Sequence, residues 1–442
     1  MSQPSPAGGL PGATATAPPP VPGVATGAPA TAPASTPETA ATAPRTTDTP
    51  RRLRRFTTAM IITGVLFGLV GALVFARLAY GMQRAEDNTA QLIRVQQIQS
   101  NLLTADATAT NAFLVGGLEP EAQRVRYDQA INATATLIAQ AAEAQPADAA
   151  ALATLNQSVL DYAAGIEQAR ANNRQGFPVG AQYLRDASAD LRSQALPVLD
   201  NLNTANTGRA ADEMELGPAW VFIVVGLLAL AALTATMVVV ARQFRRTINV
   251  GLLAAGIVVA VALVGATFGL VQLSSHLSDV RQSSFSTVTA AANARIQANN
   301  AKSNESLTLI ARGSGAGFEK AWATAADQVQ GSLDSIPDAD LPSGWKAYVD
   351  VHRQIRTLDD GGGWDKAVDV ATGTGAQSSN ATFNAFDTAV STELDSASAS
   401  VAAELSAPRI GLVIAALLLL AAGLAAAVLA RWGLAQRLRE YR

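Results

Sequence analysis

Four stretches of this chain are too apolar, for too long, to belong to an ordinary soluble fold. They are 56–78 (FTTAMIITGVLFGLVGALVFARL), 218–241 (PAWVFIVVGLLALAALTATMVVVA), 250–273 (VGLLAAGIVVAVALVGATFGLVQL) and 409–430 (RIGLVIAALLLLAAGLAAAVLA). A helix crosses the hydrocarbon core of a bilayer with about 20 apolar residues, and charges here are confined to the ends of each run. The pattern predicts four transmembrane helices. Only 5% of the residues are aromatic against 49% hydrophobic, so the apolar content is alanine, leucine and valine, which favours helix over sheet. The first run lies behind 55 residues and exceeds the roughly 7–15-residue core of a cleaved signal peptide, so it is expected to stay.

Arginine placement predicts the orientation. RRLRR (51–55) precedes the first span, Arg242, Arg245 and Arg246 follow the second, and Arg431, Arg437, Arg439 and Arg442 follow the fourth. With Arg45, these segments hold 12 of the 32 basic residues but only 3 of the 35 acidic ones, Glu38, Asp48 and Glu440. The positive-inside rule places them in the cytoplasm, with both termini inside and the acidic segments 79–217 and 274–408 outside. The expected order is a cytoplasmic tail (1–55), span 1 (56–78), an outer domain (79–217) and span 2 (218–241). A cytoplasmic loop (242–249), span 3 (250–273), a second outer domain (274–408), span 4 (409–430) and a basic tail (431–442) complete it.

The cytoplasmic pieces are small. Residues 1–50 are Pro, Ala, Thr and Gly with few large apolar side chains, a composition that cannot offset its ordering entropy and predicts disorder. Thr46, Thr47 and Thr49 are candidate phosphoacceptors beside the basic cluster, although a solubilising tail is the simpler reading. The loop between spans 2 and 3 (ARQFRRTIN, 241–249) has no room for a domain. No Gly-rich nucleotide loop and no kinase motif set is present. Any output must therefore be made by a partner, with Arg242, Arg245 and Arg246 as candidate contacts for it or for anionic lipid.

Both outer segments read as helical bundles. Gln91, Val95, Ile98, Leu102, Ala105, Ala109 and Ala112 recur at alternating spacings of four and three, a heptad seam that stops at Gly116-Gly117. A second helix (about 120–144) carries Tyr127, Ile131, Thr134, Ile138 and Ala141, and a third carries Leu152, Leu155, Val159, Tyr162 and Ile166. A fourth runs through Leu184, Leu191, Val198 and Leu202, with a kink expected at Pro197. The second segment repeats the plan, its third helix broken by DDGGGWD (359–365) and GTGAQ (373–377) and its fourth carrying Phe383, Phe386, Val390, Leu394, Ala397, Val401 and Leu405. Ile98-Gln99-x-Asn101 recurs as Ile296-Gln297-x-Asn299, Asp128-Gln129 as Asp327-Gln328, and Gly64-x-x-x-Gly68 as Gly265-x-x-x-Gly269. Nearly one offset in three places points to tandem duplication, and the paired glycines allow close helix approach in the bilayer. The expected fold is an all-α membrane protein with four spans and two tandem extracytoplasmic four-helix-bundle domains.

Enzyme chemistry is not expected. There is no cysteine, and the two histidines, His276 and His352, lie in separate segments, which disfavours a zinc site. The carboxylates read as solvated helix faces, and no cofactor is implied. Arg124, Arg126, Arg185 and Arg192 are candidates for gripping an acidic ligand, since guanidinium binds carboxylate bidentately; ordinary surface charge is the alternative. Trp322, Trp345 and Trp364 read as packing. The net-negative exterior disfavours nucleic acid.

The span–bundle–span units resemble the four-helix-bundle sensors of bacterial chemoreceptors and histidine kinases. The Pro/Ala-rich tail into RRLRR, the paired bundles, the RQFRRTIN turn and the RLREYR terminus together resemble the actinobacterial four-span GlnX-type family. That resemblance implies an extracytoplasmic glutamate/aspartate-binding lipoprotein as one partner and a soluble cytoplasmic Ser/Thr kinase as the other, with no catalytic residues in the membrane protein itself. A homodimer is expected by analogy with the bundle sensors. The competing expectations are a receptor that binds a small molecule directly and a non-switching envelope scaffold. A transporter would need charged or broken spans, and none is seen.

Overall fold

The computed structural model describes residues 49–116, 118–215, 217–244 and 249–439. Thr46, Thr47, Arg245, Arg246 and most of the Pro/Ala-rich tail lie outside the described residues. Thirteen α-helices are present among them and no strand: α1 (Thr49–Val115), α2 (Glu121–Ala144), α3 (Ala149–Arg174), α4 (Val179–Asp190), α5 (Leu196–Glu213), α6 (Trp220–Phe244), α7 (Val250–Gln282), α8 (Ser284–Ile310), α9 (Ala316–Leu333), α10 (Leu341–Asp360), α11 (Trp364–Thr372), α12 (Ser379–Ser406) and α13 (Pro408–Arg439). Thr49, a candidate phosphoacceptor, is the first residue of α1.

Spans and bundle helices are not separate elements. α1 runs unbroken for 67 residues, about 100 Å at 1.5 Å per residue, from the arginine cluster to the far end of the first bundle. Span 3 passes into the second bundle with only Ser283 between α7 and α8, and that bundle returns into span 4 with only Ala407 between α12 and α13. The connection into α6 is longer: α5 ends at Glu213, and a 3₁₀ turn at Gly217–Ala219 precedes Trp220.

The four apolar helices close a ring in which α1 packs on α13, α13 on α7, α7 on α6 and α6 on α1. Outward-facing Leu66, Leu73, Leu228, Val264, Phe268 and Leu417 are all more than half exposed, an apolar belt suited to lipid. Inside the ring, Phe222 of α6 packs against Phe67 and Phe75 of α1 at ring-centroid distances of 5.5 and 6.0 Å. The two GxxxG motifs have different outcomes. Gly64 and Gly68 lie on the backbone of α13 at Gly423, whereas Gly265 and Gly269 have nothing within 4 Å of where a Cβ would stand. At the basic end of the ring, Asn249 caps α7 by accepting from the Gly251 and Leu252 amides at 3.1 and 3.2 Å, and its Nδ2 donates to the Gly433 carbonyl at 2.9 Å. One side chain thus starts α7 and ties it to the end of α13.

The first bundle comprises the outer half of α1 with α2, α3 and the α4–α5 pair. The heptad seam on α1 is buried throughout, from Gln91 to Ala112. Between α4 and α5 lies a π turn, Leu191–Ala195, with Pro197 just beyond it. A π turn holds one extra residue, and the core position moves accordingly: Leu199 is fully buried, while Val198, which the spacing favoured, is only partly so. The second bundle comprises α8, α9, the broken α10–α11 pair and α12. Trp322 and Trp345 are in its core, and the Trp364 indole donates to the Leu309 carbonyl at 2.9 Å.

Candidate functional site

The two bundles belong to one compact unit and join lengthwise through α1 and α8. Residues that face each other differ by nearly constant numbers: the Thr104 hydroxyl donates to Asn299 Oδ1 at 3.1 Å, and the Ser303 hydroxyl donates to Asp106 Oδ2 at 2.6 Å. The packing is correspondingly symmetric. α2 of the first bundle reaches α12 of the second, and α4 of the first lies near α9 of the second across a matching groove.

Charged residues are buried along this joint. Asp106 is fully enclosed and accepts from Ser188 at 2.5 Å, from Ser303 and from Arg192 at 2.9 Å, with the Tyr162 hydroxyl at 3.4 Å. Arg192 also donates to Ser303 at 2.8 Å, so one guanidinium bridges both bundles. Asp387 on α12 plays the corresponding part on the other side, receiving Arg126 of α2 at 3.1 Å and Arg295 of α8 at 2.8 Å. Lower in the first bundle, Asp148 accepts from Gln91, Asn206 and Arg209.

A third buried group lies inside the second bundle. Lys302 and Glu305, 3% and 1% exposed, pair at 2.8 Å, and the Ser379 hydroxyl donates to the same carboxylate at 2.6 Å. The other oxygen of Glu305 is 3.0 Å from His352 Nδ1, and His352 Nε2 is 3.2 Å from Glu319, which Arg356 approaches in turn. The imidazole stacks on Trp322 with centroids 3.6 Å apart. Burial alone would raise the Glu305 pKa, but Lys302 and His352 more than offset it and hold the carboxyl at about 2. Burial lowers Lys302, with Glu305 pulling it back up only in part. For His352, burial is outweighed by the two carboxylates and the pKa is raised, so the imidazolium can donate from both nitrogens.

The sequence-derived sites are distributed differently from expectation. Arg124, Arg126, Arg185 and Arg192 do not converge. Arg124 pairs with Asp128 and Glu167 on the outer face of the first bundle, and Arg126 and Arg192 are drawn into the joint by Asp387 and Asp106. Arg185 donates only to Gln182 and, with Arg192, lines a groove of about 570 Å³ between α4, α8 and α9. Arg242 is exposed near the end of α6. The carboxylates read as solvated faces include four that are not: Asp106, Asp148, Glu305 and Asp387 are buried. Asp106, Glu305 and Asp387 each sit where a helix faces two neighbours, so the position looks polar in the period of one helix while a second helix covers it. Asp148 ends the 3₁₀ turn before α3 and is held by side chains of α1 and α5. The hydroxyls and amides clustered on α1 and α8 were the available signal, because a helix with no apolar-free face has nowhere to put them except against another polar helix.

Four helices long and apolar enough to cross a membrane, joined to paired helical bundles, fit a membrane protein of the sensor class. Residues 81–215, the outer part of α1 through α5, match a family model described as the actinobacterial sensor domain. No curated protein and no solved structure matches the chain.

Proposed function

We propose that this protein is a transmembrane signal relay. An amino-acid-binding lipoprotein of the glutamate/aspartate class docks on the outer bundles, and the resulting arrangement of the four spans is read inside by a Ser/Thr kinase. The observation that carries this reading is helical continuity. α1 is a single rigid rod from the bundle tip to the arginine cluster, and α13 is locked to it through Gly423. A displacement at the bundles therefore has no soft joint in α1 at which to dissipate. The arginine distribution supports a cytoplasmic basic end. There, exposed Arg242, with Arg245 and Arg246 next in sequence, offers a contact surface to the kinase. The relay requires that the docked lipoprotein bind the two arrangements with different affinity, since equal affinity shifts nothing.

The test is crosslinking and affinity capture of the full-length chain from its own membrane, with and without glutamate or aspartate feeding, followed by mass spectrometry. Recovery of a solute-binding lipoprotein and a Ser/Thr kinase is expected, with at least one of them dependent on feeding. Recovery of envelope or division proteins alone contradicts the relay and favours a scaffold.

A further inference from the structure

A cleft of about 520 Å³ opens where α1 and α2 of the first bundle meet α8 and α12 of the second. Its volume is within the roughly 300–1,000 Å³ of small-molecule sites, and its mainly apolar walls carry a few polar side chains, among them Asn111, Gln123, Arg126, Lys302, Asn380 and Asn384. Three features of these walls point to one kind of occupant.

Lys302 is the first. Its ammonium carries three N–H donors; two go to Glu305 and to Ser379, at 2.8 and 2.6 Å, and among the described hydrogen bonds the third has no acceptor. Arg126 is the second. Asn384 and Asp387 hold its two terminal nitrogens, and its Nε–H is without a protein acceptor among the described bonds. These two cations line the same cleft, and the Arg126 charge is one of the influences that depress the Lys302 pKa, after burial. The cleft's two charged wall residues, Arg126 and Lys302, are matched in charge by their direct partners, Asp387 and Glu305, so what they offer a ligand is unused N–H donors. Gln123 is the third feature. Its Nε2 donates to Asn111 Oδ1 at 2.9 Å, and its Oε1 is buried with no partner at all. A buried acceptor left unpaired is costly, so the cleft sets an acceptor in need of a donor beside two cations with unused N–H groups.

We infer that this cleft binds a small carboxylate that also carries a hydrogen-bond donor, the chemistry of a free α-amino acid, with the carboxylate between Arg126 and Lys302 and the donor on Gln123 Oε1. The site goes beyond the relay, because it takes its ligand directly and needs no docked protein. The cleft walls come from both bundles, so occupancy would draw α2 and α12 together, and the conformation with the closer walls would bind more tightly.

The experiment is calorimetric titration of the full-length chain in lipid nanodiscs, with no other protein present. The probes are each of the protein amino acids, with succinate and acetate as carboxylates that lack the donor. At least one amino acid is expected to bind saturably at millimolar concentration or below. Arg126→Gln should weaken it by about tenfold or more, the worth of one charge-assisted hydrogen bond. Gln123→Leu should weaken the amino acid but leave succinate unchanged, and Arg185→Gln, in the opposite groove, should change neither. Absence of binding by every amino acid at millimolar concentration overturns the site, as does affinity unchanged in both cleft variants. Succinate binding as tightly as the amino acids, with no effect of Gln123→Leu, overturns the assigned ligand class. If Arg126→Gln lowers the melting temperature sharply, the Gln123→Leu comparison still decides, since that side chain makes one neutral hydrogen bond. With no lipoprotein in the sample, a negative result here leaves the relay standing, and failure to capture a lipoprotein leaves the cleft standing.

Discussion

Gly68 of α1 and Gly423 of α13 meet backbone to backbone: a Cβ added at Gly423 would stand 2.5 Å from the Gly68 Cα. Lipid tails are as apolar as the side chains they compete with, so spans associate through close packing rather than through a hydrophobic gain. This contact is therefore the structural link between the span that enters the first bundle and the span that leaves the second.

Gly423→Val should force the two helices apart and destabilise the protein by about 1–3 kcal/mol, the usual cost of overpacking. Gly269→Val, where a side chain meets only open space, should be close to neutral. Melting temperatures of the two variants in the same detergent check the contrast; equal shifts would mean that α1 and α13 are not held by this contact.

Asp106→Ala removes the anion that holds Arg192, Ser188 and Ser303 across the joint. Breaking a buried pair by removing one partner costs about 3–5 kcal/mol, so a loss near the lower figure is expected, given that Arg192 keeps some solvent exposure. Chemical denaturation of the variant measures it. Arg124→Ala, whose partners are on the surface, should cost less than about 1 kcal/mol.

Stability of the second bundle should pass through a maximum with pH. Glu305 has a folded pKa of about 2, below its ordinary 4.5, so its contribution is complete above about 4.5 and is lost as the pH falls towards 2. His352 has a folded pKa above its ordinary 6.5. Its contribution is complete below 6.5 and is lost as the pH rises through the raised value. The facing groups are Lys302 and Glu305 on α8, Glu319 on α9, and Tyr348 and Arg356 on α10. Thermal melts across pH should show the fall on both sides, and His352→Gln should abolish the alkaline limb; an unchanged alkaline limb would assign it to another group.

Asn249→Ala deletes an N-cap worth about 1 kcal/mol and also the bond from α7 to the Gly433 carbonyl. Hydrogen exchange should rise both in the first turn of α7 and near residue 433. Faster exchange in α7 alone would show that the two helix ends are not coupled.

Much of this architecture was legible in residue spacing. Leu152, Leu155, Val159, Tyr162 and Ile166, or Phe383 through Leu405, repeat with the helical period and are buried accordingly, because burial against one neighbouring helix leaves a single apolar stripe. Spacing failed where the physics is not periodic. The π turn at Leu191–Ala195 transfers burial from Val198 to Leu199. The fusion of spans with bundle helices was missed because a change from lipid to water alters composition without breaking the backbone. Asp106 was hidden for another reason: its partners lie on other helices, up to 197 residues away. Lys302 and Glu305 pair locally on α8, but only the tertiary fold buries them and brings Ser379 and His352 to them. The same holds for the cleft, where Arg126 was a candidate from its chemistry but nothing local placed Gln123 and Lys302 beside it.

The most direct test of transmembrane coupling uses the absence of cysteine from the chain. Spin labels on Arg54→Cys in α1 and Arg242→Cys in α6, both exposed positions at the basic end, report the arrangement of the spans by pulsed electron resonance in the protein's own membranes. Feeding glutamate or aspartate should shift the inter-label distance distribution, and Gly423→Val should blunt that shift. An unchanged distribution on feeding, in membranes where the lipoprotein is shown to be docked, would contradict the relay.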